Sequence, residues 1–200
     1  MVSNTSNTYG WTEDELIERL KKGQEEAYRI LVREYHSRLY SLACGITMDR
    51  EESQDILQEV FLKVCSNIKG FKGKSSLFTW LRRITVNESL NWRRRAKRRF
   101  RWKHQPLDTE GTEGGVELER QESGPEAMYQ KKELEKSLNN GLNLLSEEAR
   151  TIFALRELEG LSYDEIAAQL NLSKGTVSSR LFYARQRLKE FLEKDQGGDS

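Results

Sequence analysis

Proline, cysteine and histidine are scarce in this chain of 200 residues, which has two of each. With only Pro106 and Pro125 to interrupt them, long helices are permitted almost everywhere. Cys44 and Cys65 are not spaced as a CxxC pair, and His36 and His104 stand alone, which excludes a disulfide framework and a zinc site. Both cysteines fall in helical patterns and are expected in the core. No apolar run approaches the roughly 18 residues of a membrane span. The start, MVSNTSNTYGWTEDE, has neither the basic nor the apolar part of a secretory signal, so the expected location is the cytoplasm. No Ser/His/Asp set, phosphate-binding loop or metal-ligand spacing is present. Enzyme is therefore the weakest functional class, and neither cofactor nor metal is expected.

An excess of charge of either sign is also missing: 33 Lys and Arg stand against 32 Asp and Glu, a formal net charge of +1. Taken alone, that sum argues against a nucleic-acid partner. Its distribution reverses the inference. From Arg82 to His104 there are ten basic residues and one acidic, a net +9, and from Gln105 to Gln130 one basic and seven acidic, a net −6. The flanking blocks are each close to neutral. Eight Lys or Arg between Asn91 and Lys103, with no acid among them, would repel one another on a merely structural helix, and phosphate is the natural counter-charge.

With 36% hydrophobic and 32% charged residues, the composition fits a helical, highly charged protein of two small domains. Thr12 and Glu15 form a capping box ahead of Leu16, Ile17 and Leu20, and Gly23 ends that first helix. A second helix is expected from about Glu25 to Cys44, with Ala27, Ile30, Leu31, Leu39 and Leu42 on its inner face and Gly45 near its end. A third runs from about Arg50 to Ile68 on a stripe of Ile56, Val60, Val64 and Ile68, leaving Asp55, Gln58, Glu59 and Lys63 outward. Gly70, Gly73, Ser75 and Ser76 mark a loop, after which Leu77, Trp80, Leu81 and Ile84 begin a helix that runs into the basic block. Gln105 to Gln130, with two prolines and four glycines among acids, reads as a flexible linker. Beyond it, Leu134, Leu138 and Leu142 share a helix face. Ser146 caps a helix carrying Ile152, Phe153 and Leu158 that stops at Gly160.

The segment SYDEIAAQLNLSKGTVSSRLFYARQRLK reads as two helices joined by a tight turn, similar to a helix-turn-helix DNA reader. Ser162 and Glu165 make a capping box, Ala167 permits close approach, Asn171 tolerates the left-handed turn and Ser173 caps the second helix. Val177, Leu181, Ala184 and Leu188 are expected inward. Lys174, Thr176, Ser178, Ser179, Arg180 and Tyr183 are then the outward candidates for base edges, with Arg185 and Arg187 placed to meet phosphate. In the first domain, FKGKSSLFTWLRRITVNESLNWRRRAKRRFRWK joins a Gly/Ser loop, aromatics and a cationic helix, the parts needed to hold single-stranded DNA. Stacking a base on an aromatic ring is worth about 1 to 3 kcal/mol. Leu77, Trp80 and Ile84 are nonetheless expected to be core.

Three series in order, DILQEVFLKV (Asp55 to Val64), FKGKSSLFTWLRRITVN (Phe71 to Asn87) and EIAAQLNLSKGTVSSRLFYARQRLK, make the chain resemble a bacterial extracytoplasmic-function (group IV) sigma factor, the small specificity subunit of RNA polymerase. The resemblance covers about Gly23 to Leu192. It implies an all-α fold: an N-terminal extension and first helix (1–22), sigma region 2 (23–104), an acidic linker (105–130), sigma region 4 (131–194) and a disordered tail (195–200). Region 2 would bind the polymerase β′ subunit and open the −10 element, while region 4 would bind the β flap and the −35 duplex. Carried onto this sequence, the polymerase contacts are Asp55, Gln58, Glu59 and Lys63. The −10 contacts are Lys69, Phe71, Lys72, Lys74, Ser75, Ser76, Asn87, Arg93, Arg94 and Arg95, with a flipped base held by the Lys69 to Ser76 loop and Asn87 as polar reader. The −35 contacts are Ser173, Lys174, Thr176, Ser178, Ser179, Arg180, Phe182, Tyr183 and Arg185.

Two departures bear on specificity. Leu77 stands where the family commonly has Phe, and Ser178 where many relatives have Arg or Lys, which removes one bidentate contact to guanine. Recognition of −35 is thus expected to lean on Lys174, Ser179, Arg180, Phe182 and DNA shape. The resemblance also implies one copy per polymerase and an anti-sigma partner. The competing readings are a free-standing helix-turn-helix regulator of the response-regulator output type and an interaction protein without a DNA role. The acidic linker is expected to shield the basic block when polymerase is absent.

Overall fold

A computed structural model of the chain describes residues 10–103 and 125–196, with side chains for 10–98 and 133–195. Among the described residues there are eight α-helices, one 3-10 turn and no strand. The helices are α1 (Glu13–Lys21), α2 (Glu25–Thr47), α3 (Arg50–Asn67), α4 (Leu77–Lys103), α5 (Pro125–Asn143), α6 (Glu147–Glu157), α7 (Tyr163–Leu170) and α8 (Lys174–Gln196). The 3-10 turn, Ile68–Gly70, follows α3 directly. The chain divides into two compact units, Met1–Ala43 with Glu51–Pro106, and Cys44–Arg50 with Leu107–Ser200.

The core of the first unit forms where the apolar stripes of α1 to α4 meet. Leu20, Ile30, Leu31, Leu39, Val60, Val64, Leu77 and Leu81 are buried there together, as the helical spacing requires. The Thr12 capping box closes as expected: Thr12 Oγ1 accepts from the Glu15 amide at 3.3 Å, and Glu15 Oε2 accepts from the Thr12 amide at 2.8 Å. Trp80 is only partly buried, packed against this core rather than enclosed in it.

In the second unit α8 packs on α5, α6 and α7. Its inward stripe is the expected one: Val177, Leu181, Ala184 and Leu188 are all buried. Ile152, Leu155, Leu161 and Ile166 are buried in the same unit. Asn171 adopts the left-handed conformation, with φ 55° and ψ 49°, and ends α7, where an asparagine meets less steric resistance than most residues.

Several expectations need correction. Helix α2 does not stop at Cys44 but runs through Gly45 to Thr47, ending where Met48 turns left-handed at φ 60°. One glycine costs a helix about 1 kcal/mol, which burial of the surrounding Ala43, Cys44 and Ile46 offsets. Cys44 is buried but Cys65 is exposed, because it lies one residue beyond Val64 and so about 100° off the buried stripe of α3. Leu134 is 49% exposed, since the α5 stripe joins the core only from Leu138 onward. The expected linker, 105–130, lies outside the described residues as far as 124, and from Pro125 the chain is helical. Proline is favoured at this first helical position because its missing amide proton has no partner there anyway. Helix α8 extends to Gln196, two residues past the boundary expected for the second domain.

Gly141 was not singled out by any pattern, yet it lies where α5 packs against α8 with no room for a side chain. A Cβ there would sit 2.9 Å from Leu188 Cδ2 and 3.1 Å from Phe191 Cδ1. Gly141→Val is expected to lower stability by about 1 to 3 kcal/mol through overpacking, measured as a fall in the urea midpoint. Leu134→Ser, at an exposed position of the same helix, should leave that midpoint nearly unchanged.

Candidate nucleic-acid interface

The loop between α3 and α4 is built in three steps. The 3-10 turn ends as the Phe71 amide donates to the Ile68 carbonyl at 3.0 Å. Gly73 then takes a left-handed φ of 66°, which a side chain would resist. Ser76 closes the loop by accepting from the Thr79 amide at 3.2 Å, so its hydroxyl caps α4. Lys69, Lys72, Lys74 and Ser75 are left exposed on the loop.

Phe71 is placed differently from its exposed neighbours. Its ring is buried and lies tilted on Trp80, with centroids 5.1 Å apart. These two rings and Ile84 form the apolar wall of a cleft of about 440 Å³ whose polar side is Lys63, Asn67, Asn87 and Glu88. The buried Phe71 thus contributes to a cleft wall rather than a free stacking platform. Asn87 is exposed on the first turns of α4 that follow the loop, and its amide group has no hydrogen bond among the described residues.

Lys63 is not directed to solvent with the other three polar residues of α3. Its ammonium reaches Glu88 Oε2 at 2.7 Å and Glu59 Oε1 at 3.4 Å, so it belongs to the cleft. The bond to Glu88 holds the Lys63 ammonium above its ordinary range, with Glu59 adding to the effect. Glu88, which no sequence pattern singled out, is the near-buried carboxylate that this lysine neutralises, with a side chain 10% exposed.

Asp55, Gln58 and Glu59 are exposed on α3, as the helix period requires. Beside them, α2 and α3 frame a groove of about 490 Å³ that includes Val32, His36, Phe61 and Leu62. Leu62 is 63% exposed, and the His36 ring stacks with Tyr40 and Phe61 at 5.9 and 6.5 Å. The signal for Leu62 was present in the sequence as an apolar residue on the polar side of the α3 stripe.

Further along α4 the basic block begins. Arg94 and Arg95 are exposed and Arg93 is half-buried. Arg94 donates to Asn91 Oδ1 at 3.2 Å and Arg98 Nε to the Arg94 carbonyl at 3.3 Å, both neutral acceptors. Side chains from Arg99 to Lys103 lie outside the described residues.

On α8, Lys174, Ser178, Ser179, Phe182, Tyr183 and Arg185 are exposed, while Arg180 and Thr176 are half-buried. Phe182 and Tyr183 meet edge to face at 5.6 Å. Three hydroxyls already have local partners. Ser173 Oγ accepts from the Thr176 amide at 3.1 Å and lies 2.8 Å from Thr176 Oγ1, while Ser179 Oγ donates to the Thr176 carbonyl at 3.2 Å. Two cations are paired as well. Lys174 Nζ meets Asp164 Oδ2 at 2.8 Å, and Arg185 binds Glu157 Oε1 through Nη2 at 2.6 Å and Nε at 3.2 Å. Glu157 raises the already high pKa of the Arg185 guanidinium. Neither pair was foreseen, because Asp164 and Glu157 are brought to α8 only by folding.

Comparison with known proteins agrees with this arrangement. Residues 31–99 match the family described as Sigma-70 region 2, and residues 136–188 match Sigma-70, region 4. The chain is 35% identical over 188 residues to the RNA polymerase sigma-H factor of Pseudomonas aeruginosa, spanning 90% of this chain and 94% of that protein. It is 35% identical over 178 residues to the ECF RNA polymerase sigma-E factor of Escherichia coli, spanning 88% and 92%. Its fold is similar to that of the sigma factor RpoE from Bartonella quintana, solved in complex with the anti-sigma factor NepR. That match has a TM-score of 0.64 and 24% identity, covering 82% of this chain and 96% of the other. CnrH, solved with the cytosolic domain of CnrY, gives a TM-score of 0.59 at 20% identity, covering 92% and 98%. With both regions matched in order and relatives aligned over nearly their whole length, the chain belongs to the extracytoplasmic-function family of RNA polymerase sigma factors.

Proposed function

We propose that this sigma factor recruits core RNA polymerase to a subset of promoters, with α8 reading the −35 element as duplex and the α3–α4 loop and cleft capturing a melted −10 base. The observation that carries the reading is the cleft walled by Phe71 and Trp80, with Asn87 open at its side. An unpaired base offers a flat face to aromatic walls and hydrogen-bonding edges to a polar rim, whereas a regulator that reads only duplex has no use for such a cleft. Arg94 and Arg95, on the same helix beyond the cleft, track the phosphates. Asp55, Gln58 and Glu59 with the apolar Leu62 form the polymerase-binding face. The protein catalyses no bond chemistry, and phosphodiester synthesis belongs to the polymerase.

The further partner is an anti-sigma protein, by analogy with the RpoE relative, which was solved bound to one. Among the described residues no helix is long and apolar enough to cross a membrane. The factor acts in the cytoplasm, as one copy per polymerase.

Transcription from a library of genomic fragments by core polymerase, with start sites mapped, tests the whole reading: addition of the protein should create specific starts, and none would overturn it. Arg94→Ala with Arg95→Ala should weaken promoter binding and reduce the slope of log affinity against log salt by about 2, the value for two lost phosphate contacts. Leu62→Asp should weaken core-polymerase binding at least about tenfold, since removing one leucine from an interface forfeits about 1.5 to 3 kcal/mol. Glu59→Lys should also weaken it by reversing a charge on the same face, and both should leave −35 duplex binding by the full chain unchanged. Asp164→Asn with Glu157→Gln should raise affinity for −35 duplex about twofold to fivefold at low salt by releasing Lys174 and Arg185, and the gain should fade at high salt because exposed pairs are screened.

A further inference from the structure

Helix α1 lies outside the span matched to sigma region 2, which begins at residue 31. It nevertheless touches the α3–α4 loop at both ends. At the start of the loop, the 3-10 turn Ile68–Gly70 packs against α1, with Ile68 buried in the shared core. At the end of the loop, Glu13, the first residue of α1, accepts a hydrogen bond from the Leu77 amide through Oε1 at 3.1 Å. Leu77 is the first residue of α4, so its amide is one of the four donors that a helix N-terminus leaves without an internal partner.

That bond differs in kind from the local cap. Ser76 serves the Thr79 amide from within the loop and would do so wherever the loop went. Glu13 reaches across 64 residues of sequence, so its bond holds only if the end of the loop occupies one place relative to α1. A carboxylate at this position is also favoured by the partial positive charge of the α4 N-terminus. Burial raises the Tyr35 pKa to about 12 with a further contribution from the Glu13 charge, the Tyr35 ring stacks on Phe78 at 5.9 Å, and the Arg38 guanidinium lies 3.9 Å from the Phe78 centroid. The first turn of α4 is thereby fixed from outside the loop, and Trp80, on that turn, carries one wall of the cleft.

We propose that Glu13 is a positioning residue for −10 capture: its carboxylate anchors the N-terminus of α4, while α1 braces the 3-10 turn, so that the loop and the Phe71–Trp80 wall are preorganised before a base arrives. The inference rests on the assignment of this cleft to the melted −10 strand. Preorganisation matters because each residue ordered only on binding subtracts from the affinity.

The test uses holoenzyme assembled with the full chain and two DNA probes, a fork junction with a single-stranded −10 segment and a fully duplex −35 fragment. Glu13→Ala should lower fork affinity about fivefold, the effect of one lost hydrogen bond to a helix end, and leave both −35 duplex affinity and core-polymerase binding unchanged. Glu13→Gln, which keeps a neutral oxygen acceptor, should recover most of the loss. Amide hydrogen exchange in the free protein provides a readout independent of DNA, with faster exchange at Leu77 in Glu13→Ala. Unchanged fork affinity in Glu13→Ala would overturn the proposal even with faster Leu77 exchange, and equal losses on fork, duplex and core binding would overturn it in favour of general unfolding. Should wild-type holoenzyme gain nothing from a single-stranded −10 segment, the assignment of the cleft falls instead, while the exchange result still reports whether Glu13 holds α4.

Discussion

Burial of the first turns of α4 is the constraint on which the first unit depends. Leu77 and Leu81 are buried in one core with residues of α1, α2 and α3, Thr85 and Val86 are buried further along the helix, and a helix fixed along one stripe has every other direction fixed as well. Trp80 and Ile84 then face the cleft, Asn87 and Glu88 form its polar side, and the chain that follows carries its arginines away from the core. The loop gains its shape from the same burial, because its two ends belong to elements that cannot move independently. Glu13 extends the constraint to α1, tying the beginning of the domain to the beginning of the helix that holds the cleft.

Helix α8 divides the same two tasks between two faces. Val177, Leu181, Ala184 and Leu188 hold it to the second unit at intervals of three and four residues, so Ser178, Ser179, Phe182 and Tyr183 are directed outward. Phe182 and Tyr183, 65% and 67% exposed, present an apolar contact area on a helix face otherwise lined with hydroxyls and charged side chains.

Electrostatics act locally in both units. Lys63 with Glu88 forms a nearly neutral pair at the edge of the cleft, which leaves the near-buried carboxylate without an uncompensated charge. Lys174 with Asp164 and Arg185 with Glu157 do the converse on the exposed surface, restraining cations that phosphate would otherwise attract. The near-zero net charge of the chain is therefore the sum of separated blocks and local pairs, and carries no information about its ligand.

Periodicity was enough to place most of the helices and most of their inward stripes, with the capping boxes at Thr12 and Ser162 and the turn at Asn171, because each depends on residues no more than about a turn or two apart. The far end of α2, the start of α5 and the exposure of Leu134 and Cys65 were not legible in it. The order of the three motifs was enough to determine the family. The tertiary structure decided what depends on distant residues meeting: that Phe71 is a wall of the cleft, that Lys63 turns from the exposed polar side of α3 to Glu88, and that Cys65 and Leu62 flank a groove. It also decided that Gly141 admits α8 and that Glu13 caps a helix 64 residues away. Local patterns specify which way a side chain leaves its own helix. What it meets there is set by packing of the other helices, which no spacing within one segment encodes.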